Sequence, residues 1–241
     1  LKTSSPVGQE LFSLLESLKG KWDSHVIGIF LSAGIQEQAI KCVCFVKVKR
    51  ILFCHIIDSK SASVGLGIIA IELAHYCQKG VTFEQAISYG EKVVEENYAY
   101  FSIDDLGFLQ KGGRIGKASA FLGTTLKIKP ILSFEKENGE FNVPSKVRGN
   151  KKVKSKLVEI IEKHLEDHSH QKFALAIADG NNLEERNELE KMLKEKFPTF
   201  EYIIDGHVGA HYRVIFGSGL LGVAIQLYKK IKEISFFCFM K

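Results

Sequence analysis

The sequence predicts an α/β fold in two parts, a parallel sheet with helical crossovers and then a mixed region. Three observations carry this. Residues 26–31 and 51–57 are short apolar runs rich in β-branched side chains, bounded by charged, small or polar residues, as buried strands are. The second run ends in Asp58-Ser59-Lys60-Ser61 and is followed by apolar periodicity over about residues 64–78. Strand, turn and helix in that order build parallel sheets with crossovers. Past Gly80 the texture becomes mixed, with a hairpin signal at Asn138-Gly139. The break near Gly80 suggests one unit over residues 1–80 and another over 81–241.

The elements follow in order. A first helix is expected over residues 6–19, where Leu11, Leu14, Leu15 and Leu18 fall at helical spacing behind Pro6. Strand 26–31, strand 51–57 and helix 64–78 come next. Thr82 caps another helix that runs to about residue 97, with Gln85 three positions later completing a capping box. Residues 100–103 read as a short strand, and Asp104-Asp105 open a short helix. The basic glycine loop of residues 110–117 leads to a helical stretch at 118–123. Residues 128–134 and 143–148 are strands joined through the Asn138-Gly139 turn. Residues 151–167 form an amphipathic helix with Val153, Leu157, Ile160, Ile161 and His164 or Leu165 on one side. Strand 173–178, a charge-laced helix at 183–197 and strands at 200–204, 212–216 and 222–228 complete the chain.

Bulk properties narrow the function. The chain has 241 residues, 45% apolar and 25% charged, which suffices for a sizeable core. A net charge of +5 is mild; it favours an acidic ligand or partner and does not point to nucleic acid. The five cysteines form no CxxC pair and match no zinc spacing. Buried free thiols in a reducing, cytoplasmic setting are the expected state. No apolar run reaches the ~18 residues that span a bilayer, so stable membrane insertion is not expected. The N-terminus lacks the basic-then-apolar pattern of a signal peptide.

Generic catalytic and cofactor motifs fail on context. Gly217-Ser-Gly219-Leu-Leu-Gly222 spells GxGxxG, and Gly65-Leu-Gly67-Ile-Ile-Ala70 spells its variant. A dinucleotide site needs a further strand ending in an acidic residue about 20 residues on, and neither segment provides it. The loop at residues 111–117 lacks the first glycine and the Ser or Thr of a phosphate loop. A basic turn that docks a charged partner and a simple solvated turn are both left open there. The eight histidines show no metal spacing. His164, His168 and His170 sit where they would complement a helix dipole. There is no GxSxG elbow. No catalytic residue, metal or cofactor is expected.

An ordered set of segments resembles the fatty-acid-binding DegV family. Thr3-Ser4-Ser5-Pro6 resembles its entry motif. Ile57-Asp58-Ser59-Lys60-Ser61-Ala62-Ser63-Val64-Gly65-Leu66-Gly67 is similar to the IDSKSAS-x-GLG segment. The stretch from Asp104-Asp105-Leu106 to Lys111-Gly112-Gly113-Arg114-Ile115 resembles the DDL-x-x-L-x-KGGRI segment. Lys127-Ile128-Lys129-Pro130-Ile131-Leu132, Lys146-Val147-Arg148-Gly149 and Val208-Gly209-Ala210-His211 follow in the family's order.

The resemblance implies a two-domain fold. One domain is a parallel-sheet α/β/α unit, here truncated; the other is an α/β domain with a mixed six-stranded sheet. It also implies that a long-chain fatty acid lies in an apolar tunnel between the domains. A separate fatty acid kinase would phosphorylate the presented carboxylate and feed phospholipid synthesis. The chain itself would be a cytoplasmic carrier, not an enzyme.

Physical chemistry is compatible with that role. A buried carboxylate must be met by donors, and hydroxyls and N–H groups at helix starts and strand ends supply them. The implied head-group residues are Thr3, Ser4, Ser32, the backbone N–H groups of Ala33 and Gly34, and His211. Arg114 and Arg148 are the implied partner-facing residues. Read without the resemblance, Thr3 and Ser4 are caps and His211 is a structural histidine.

The chain also departs from the family pattern. The strand and Asp-Ser motif that open family members, about the first quarter, precede the first segment found here. The family's Ser-Ser-Gly-Leu-Ser-Gly-Thr loop appears as Ser32-Ala33-Gly34-Ile35-Gln36-Glu37-Gln38, which keeps one serine and adds an acidic group. Residues 41–57 are irregular where a helix is expected, and extra residues 212–216 follow His211. Two alternatives stand beside the carrier reading: a phosphate- or nucleotide-using transferase, and a truncated remnant with impaired binding.

Overall fold

The computed structural model describes residues 25–36, 54–123, 128–167, 172–207 and 219–228, with Ser13, Ser17, Cys42, Cys44, Val46, Phe216 and Gly217. The expected first helix lies outside these residues except for Ser13 and Ser17, both helical. Cys42, Cys44 and Val46 are helical too, inside the stretch whose composition looked irregular. The expected strand at 212–216 is outside the described residues apart from Phe216, which is not in a strand.

Two sheets organise the chain. β1 (Val26–Phe30) and β2 (Cys54–Asp58) pair in parallel, from Val26 opposite Cys54 to Phe30 opposite Asp58. α1 (Val64–Cys77) and α2 (Phe83–Glu95) follow. Then come β3 (Asn97–Ser102), the short α3 (Gly107–Lys111) and a 3-10 turn at Gly116–Phe121. The chain continues through β4 (Ile128–Phe134), β5 (Phe141–Arg148), α4 (Lys151–Asp167), β6 (Lys172–Asp179), α5 (Leu183–Lys196), β7 (Ile203–His207) and β8 (Leu221–Tyr228). The larger sheet has the order β5-β4-β3-β8-β6-β7; only β6 and β7 run parallel. The α/β class and the mixed six-stranded sheet therefore agree with expectation.

Side-chain alternation decides what covers each face of that sheet. In β6, Phe173, Leu175 and Ile177 point one way and Ala174, Ala176 and Ala178 the other, because strand side chains alternate. β8 repeats the arrangement, with Val223, Ile225 and Leu227 opposite Gly222, Ala224 and Gln226. The bulky face receives Val153, Leu157 and Ile161 of α4 and Leu189 and Leu193 of α5. Each such fully buried aliphatic chain contributes about 1.5–3 kcal/mol. The small face lets α1 approach closely, and Ile68 sits fully buried on the alanines.

α1 is apolar around most of its circumference, the pattern of a helix buried on more than one side. Ile68 faces the large sheet, while Ile69 and Leu73 join Ile57, Ala86, Val93 and Val94 in the core of the small one. α2 shares that second core. Its start is held as the sequence predicts: Thr82 Oγ1 accepts the Gln85 N–H at 3.3 Å, and Gln85 Oε1 accepts the Thr82 N–H at 2.9 Å. Residue 80 thus falls between two helices with a common core, and the first residue of the large sheet is Asn97.

Candidate functional site

Two loops leave the carboxyl ends of β1 and β2, where parallel strands present ligand-binding groups. They are stitched together. The Ser32 N–H donates to the Ser61 carbonyl at 2.9 Å, and the Ser59 N–H to the Phe30 carbonyl at 3.1 Å. Asp58 Oδ1 accepts the N–H groups of Ala33 at 3.0 Å and Lys60 at 3.1 Å. Lys60 and Ser63 both hold positive φ, 46° and 52°. For non-glycine residues this costs on the order of 1–2 kcal/mol each, so the turn into α1 is held against local preference.

The loop after β1 is clamped from outside as well. Ser32 is fully buried, and its Oγ donates to the Gly139 carbonyl at 2.6 Å across the β4–β5 turn. The same Oγ accepts the Gly34 N–H at 3.3 Å. Gly34 lies so close to that turn that a Cβ would fall 2.4 Å from the Glu140 nitrogen and the Gly139 carbonyl carbon. Arg114 Nε donates to the Ile35 carbonyl at 3.3 Å.

Beside these loops lies a narrow apolar cleft of about 40 Å³. Its walls are Ala62, Ser63 and Val64 at the start of α1, the inner side of β3 and β8, and Phe134, Phe216 and Leu220. Phe216 meets Phe101 and Phe141 edge-on, with ring centroids 5.4 and 5.9 Å apart. Ile35 packs on the same phenylalanine cluster, so the loop bearing Ser32 and the cleft share a wall. Tyr100 borders the cleft from the strand itself, while its phenol lies on the opposite face of the sheet, against His164 of α4. Burial, and then the nearby Tyr98, push that phenol up to about 12, so it stays neutral at physiological pH. Ser61, one residue from the wall, is 2% exposed, and its Oγ has no hydrogen-bond partner among the described residues.

A larger groove of about 590 Å³ runs along α1 from Leu66 to Cys77, over Ile27, Ile29 and Phe83. It opens widely and lies toward the start of β1, away from Ser32. The cleft is therefore the better candidate for the site.

Of the residues named from sequence, Ser32, Ala33 and Gly34 come together in one loop. Thr3, Ser4 and His211 lie outside the described residues. Arg114 packs half-buried against that loop, whereas Arg148 is exposed at the end of the edge strand β5. His164 is not merely a dipole complement: its Nε2 contacts the Tyr100 hydroxyl, and its ring lies against Tyr98 at 4.3 Å. Sequence reasoning did not assign roles to Asp58, Ser61 and Phe216. The rule that selected Ser32, a polar residue at the carboxyl end of a parallel strand, applies equally to Asp58 and Ser61.

The chain matches a family model described as "Uncharacterised protein, DegV family" over residues 1–227. Protein DegV of Bacillus subtilis (strain 168) is 32% identical over 224 residues, covering 92% of this chain and 77% of that relative. A fatty acid binding DegV family protein of Streptococcus agalactiae superposes with a TM-score of 0.85 at 26% identity, over 95% of this chain and 79% of the other. A DegV family protein of Ruminococcus gnavus, described with vaccenic acid, gives a TM-score of 0.79 at 26% identity, over 92% and 78%.

Proposed function

The chain belongs to the DegV family, and from that membership we propose that it binds a long-chain fatty acid and presents the carboxylate to a separate fatty acid kinase. The observation that carries the reading is the continuity of the apolar cleft with the polar loop at Ser32, through Ile35 and Val64 on one phenylalanine cluster. A fatty acid has the matching form, a long apolar tail with a single anionic head.

The tail supplies most of the affinity, at about 0.8 kcal/mol per buried CH₂. Pockets that enclose ligands of that size hold roughly 300–1,000 Å³, far more than the 40 Å³ cleft. Tail entry therefore moves wall residues, and Phe216, on the segment between β7 and β8, is the side chain we assign to that movement. The head is met by the hydroxyls of Thr3, Ser4 and Ser32, the N–H groups of Ala33 and Gly34, and His211. Ser32 has one proton to donate and gives it to Gly139. Binding through Ser32 redirects that proton, and the buried Ser61 hydroxyl adds a second donor nearby.

In this reading the chain catalyses nothing. The kinase forms the acyl phosphate, which enters phospholipid synthesis in the cytoplasm, and Arg114 and Arg148 face the kinase. The test is organic extraction of the purified, folded protein followed by mass spectrometry. A co-purifying long-chain fatty acid is expected. A folded sample that carries none, and takes up none when offered oleate, would sink the proposal. Adding a fatty acid kinase and ATP, with hydroxylamine to trap acyl phosphate, tests the second half.

A further inference from the structure

The β4–β5 turn touches the candidate head-group loop on one side and a distant anchor on the other. On the loop side, Gly139 adopts φ +72°, and a Cβ there would fall 2.0 Å from Ser32 Oγ. Its carbonyl accepts the Ser32 hydroxyl, and Gly34 rests on the peptide that follows. On the anchor side is Lys136, three residues earlier. Its Nζ donates to the Val94 carbonyl at 3.0 Å and to the Asn97 carbonyl, closing the C-terminal end of α2. It also stands 4.0 Å from the centre of the Tyr98 ring. The Lys136 carbonyl accepts Lys60 Nζ at 2.6 Å, which ties the turn to the loop after β2.

A cation that holds two carbonyls and an aromatic face is a firm anchor, since charge-assisted hydrogen bonds and cation–π contacts strengthen on desolvation. We infer that Lys136 is a positioning residue for carboxylate recognition: through the β4–β5 turn it sets the place of Ser32, Ala33 and Gly34. It touches no ligand itself. This rests on the fatty-acid reading above and names the device that fixes that site's geometry.

The charge on Lys136 is open to titration. Burial pushes its ammonium down to about 8; Glu96 and Glu95 at the end of α2 act against this shift, and Lys60 adds to it. Tyr98 and, beyond it, His164 are the other titratable groups packed there. Above that range the anchor loses its charge, and a head-group site that depends on it loosens.

The experiment compares oleate with oleyl alcohol, the same tail without the carboxylate, on the whole chain by equilibrium binding. Lys136→Met keeps the stem and removes the donors. It should weaken oleate ~tenfold, the size expected for losing a charge-assisted contact. Oleyl alcohol should change less than about twofold. The wild-type preference for oleate should fall as pH rises from about 7 to about 9, through the Lys136 range. Lys136→Arg, which stays charged, should keep a flat preference over the same interval. Equal losses for both ligands, no loss, or a Lys136→Arg profile that falls like the wild type would overturn the inference. Should Lys136→Met fail to fold, the Lys136→Arg profile decides alone. Wild-type protein that binds no oleate would instead remove the fatty-acid reading itself.

Discussion

Tyr228, the last residue of β8, donates its hydroxyl at 2.6 Å to the carboxylate of Glu72, which is 6% exposed on α1. Tyr202, just ahead of β7, donates to the same oxygen. A carboxylate at the seam between a helix and a sheet is tolerated because two phenols satisfy it. Tyr228→Phe should cost about 1.5–3 kcal/mol, the worth of a hydrogen bond to a charged group. Glu72→Ala should cost more, since it strands both phenols. Urea denaturation of the two variants checks the order.

The same phenols set an alkaline limit. Burial and, for Tyr89, the nearby Glu72 push Tyr89 up to about 12; Tyr100 also rises to about 12. Tyr202 and Tyr228 are raised as well, by burial first and then by Glu72. A folded value above the unfolded value of 10.0 means that the folded chain holds more protons in that window. Stability from these groups is complete below pH 10.0 and is lost as pH rises toward about 12. Lys136 works oppositely: between about 8 and 10.5 the unfolded chain holds the extra proton, so stability rises slightly there. Thermal melts from pH 7 to 12 should therefore show a plateau or small rise and then a steep fall above about 10.

Gly34→Ala tests the clamp on the loop. Its Cβ would meet backbone, not a flexible side-chain end. The loop or the β4–β5 turn must move, at a cost of about 1–3 kcal/mol. Fatty-acid affinity should drop with stability. A variant that melts like the wild type and binds oleate normally would show that the close approach is unimportant.

Phe216→Ala tests the cleft. Removing a buried phenylalanine costs about 3–5 kcal/mol. Saturating oleate should recover part of that loss, because a ligand that fills the space stabilises the folded chain by linkage. Differential scanning fluorimetry with and without oleate measures both. A variant whose shift on adding oleate is no larger than the wild type's would count against Phe216 as the yielding wall.

Arg114 and Arg148 should separate. Arg148 is exposed on an edge strand, so Arg148→Ala should reduce acyl-phosphate formation by a kinase without changing oleate affinity. Arg114 holds the Ile35 carbonyl, so Arg114→Ala should weaken both. Binding and trapped-product assays on the two variants give the comparison.

Much of the scaffold was legible because local rules decided it. The bounds of β4 and α4 match the sequence reading, and the Thr82–Gln85 box was plain from spacing. Bounds differ where the hydrophobic pattern and the strand ladder end at different residues. β7 starts at Ile203, yet the residues just ahead of it already bond to β6: the Glu201 N–H donates to the Phe173 carbonyl at 2.9 Å and the Leu175 N–H to the Tyr202 carbonyl at 3.0 Å. β3 starts earlier than expected, at Asn97, whose side-chain amide donates to Gln226 Oε1 inside the sheet at 3.1 Å. A polar pair inside a sheet leaves no hydrophobic signal. At the site, Ser32 was found from its place after a strand. Its contact with Gly139, 107 residues away, and the reach of Lys136 to α2 are long-range facts that no local pattern encodes.

The double-sided burial of α1 limits how such chains can be recombined. A chimaera that takes its small sheet from one relative and its large sheet from another inherits α1 from only one parent. That helix must then fit an unfamiliar partner, either the alanine floor of β6 and β8 or the Ile57 and Val93 side. A crossover at residue 80 leaves α1 with the small sheet but parts it from α2 as well. One after residue 96 keeps both helices with their own sheet, and the foreign contacts to be matched are then Ile68 and Val64 on the large sheet, Glu72 with Tyr202 and Tyr228, and the clamp of Ser32 on Gly139.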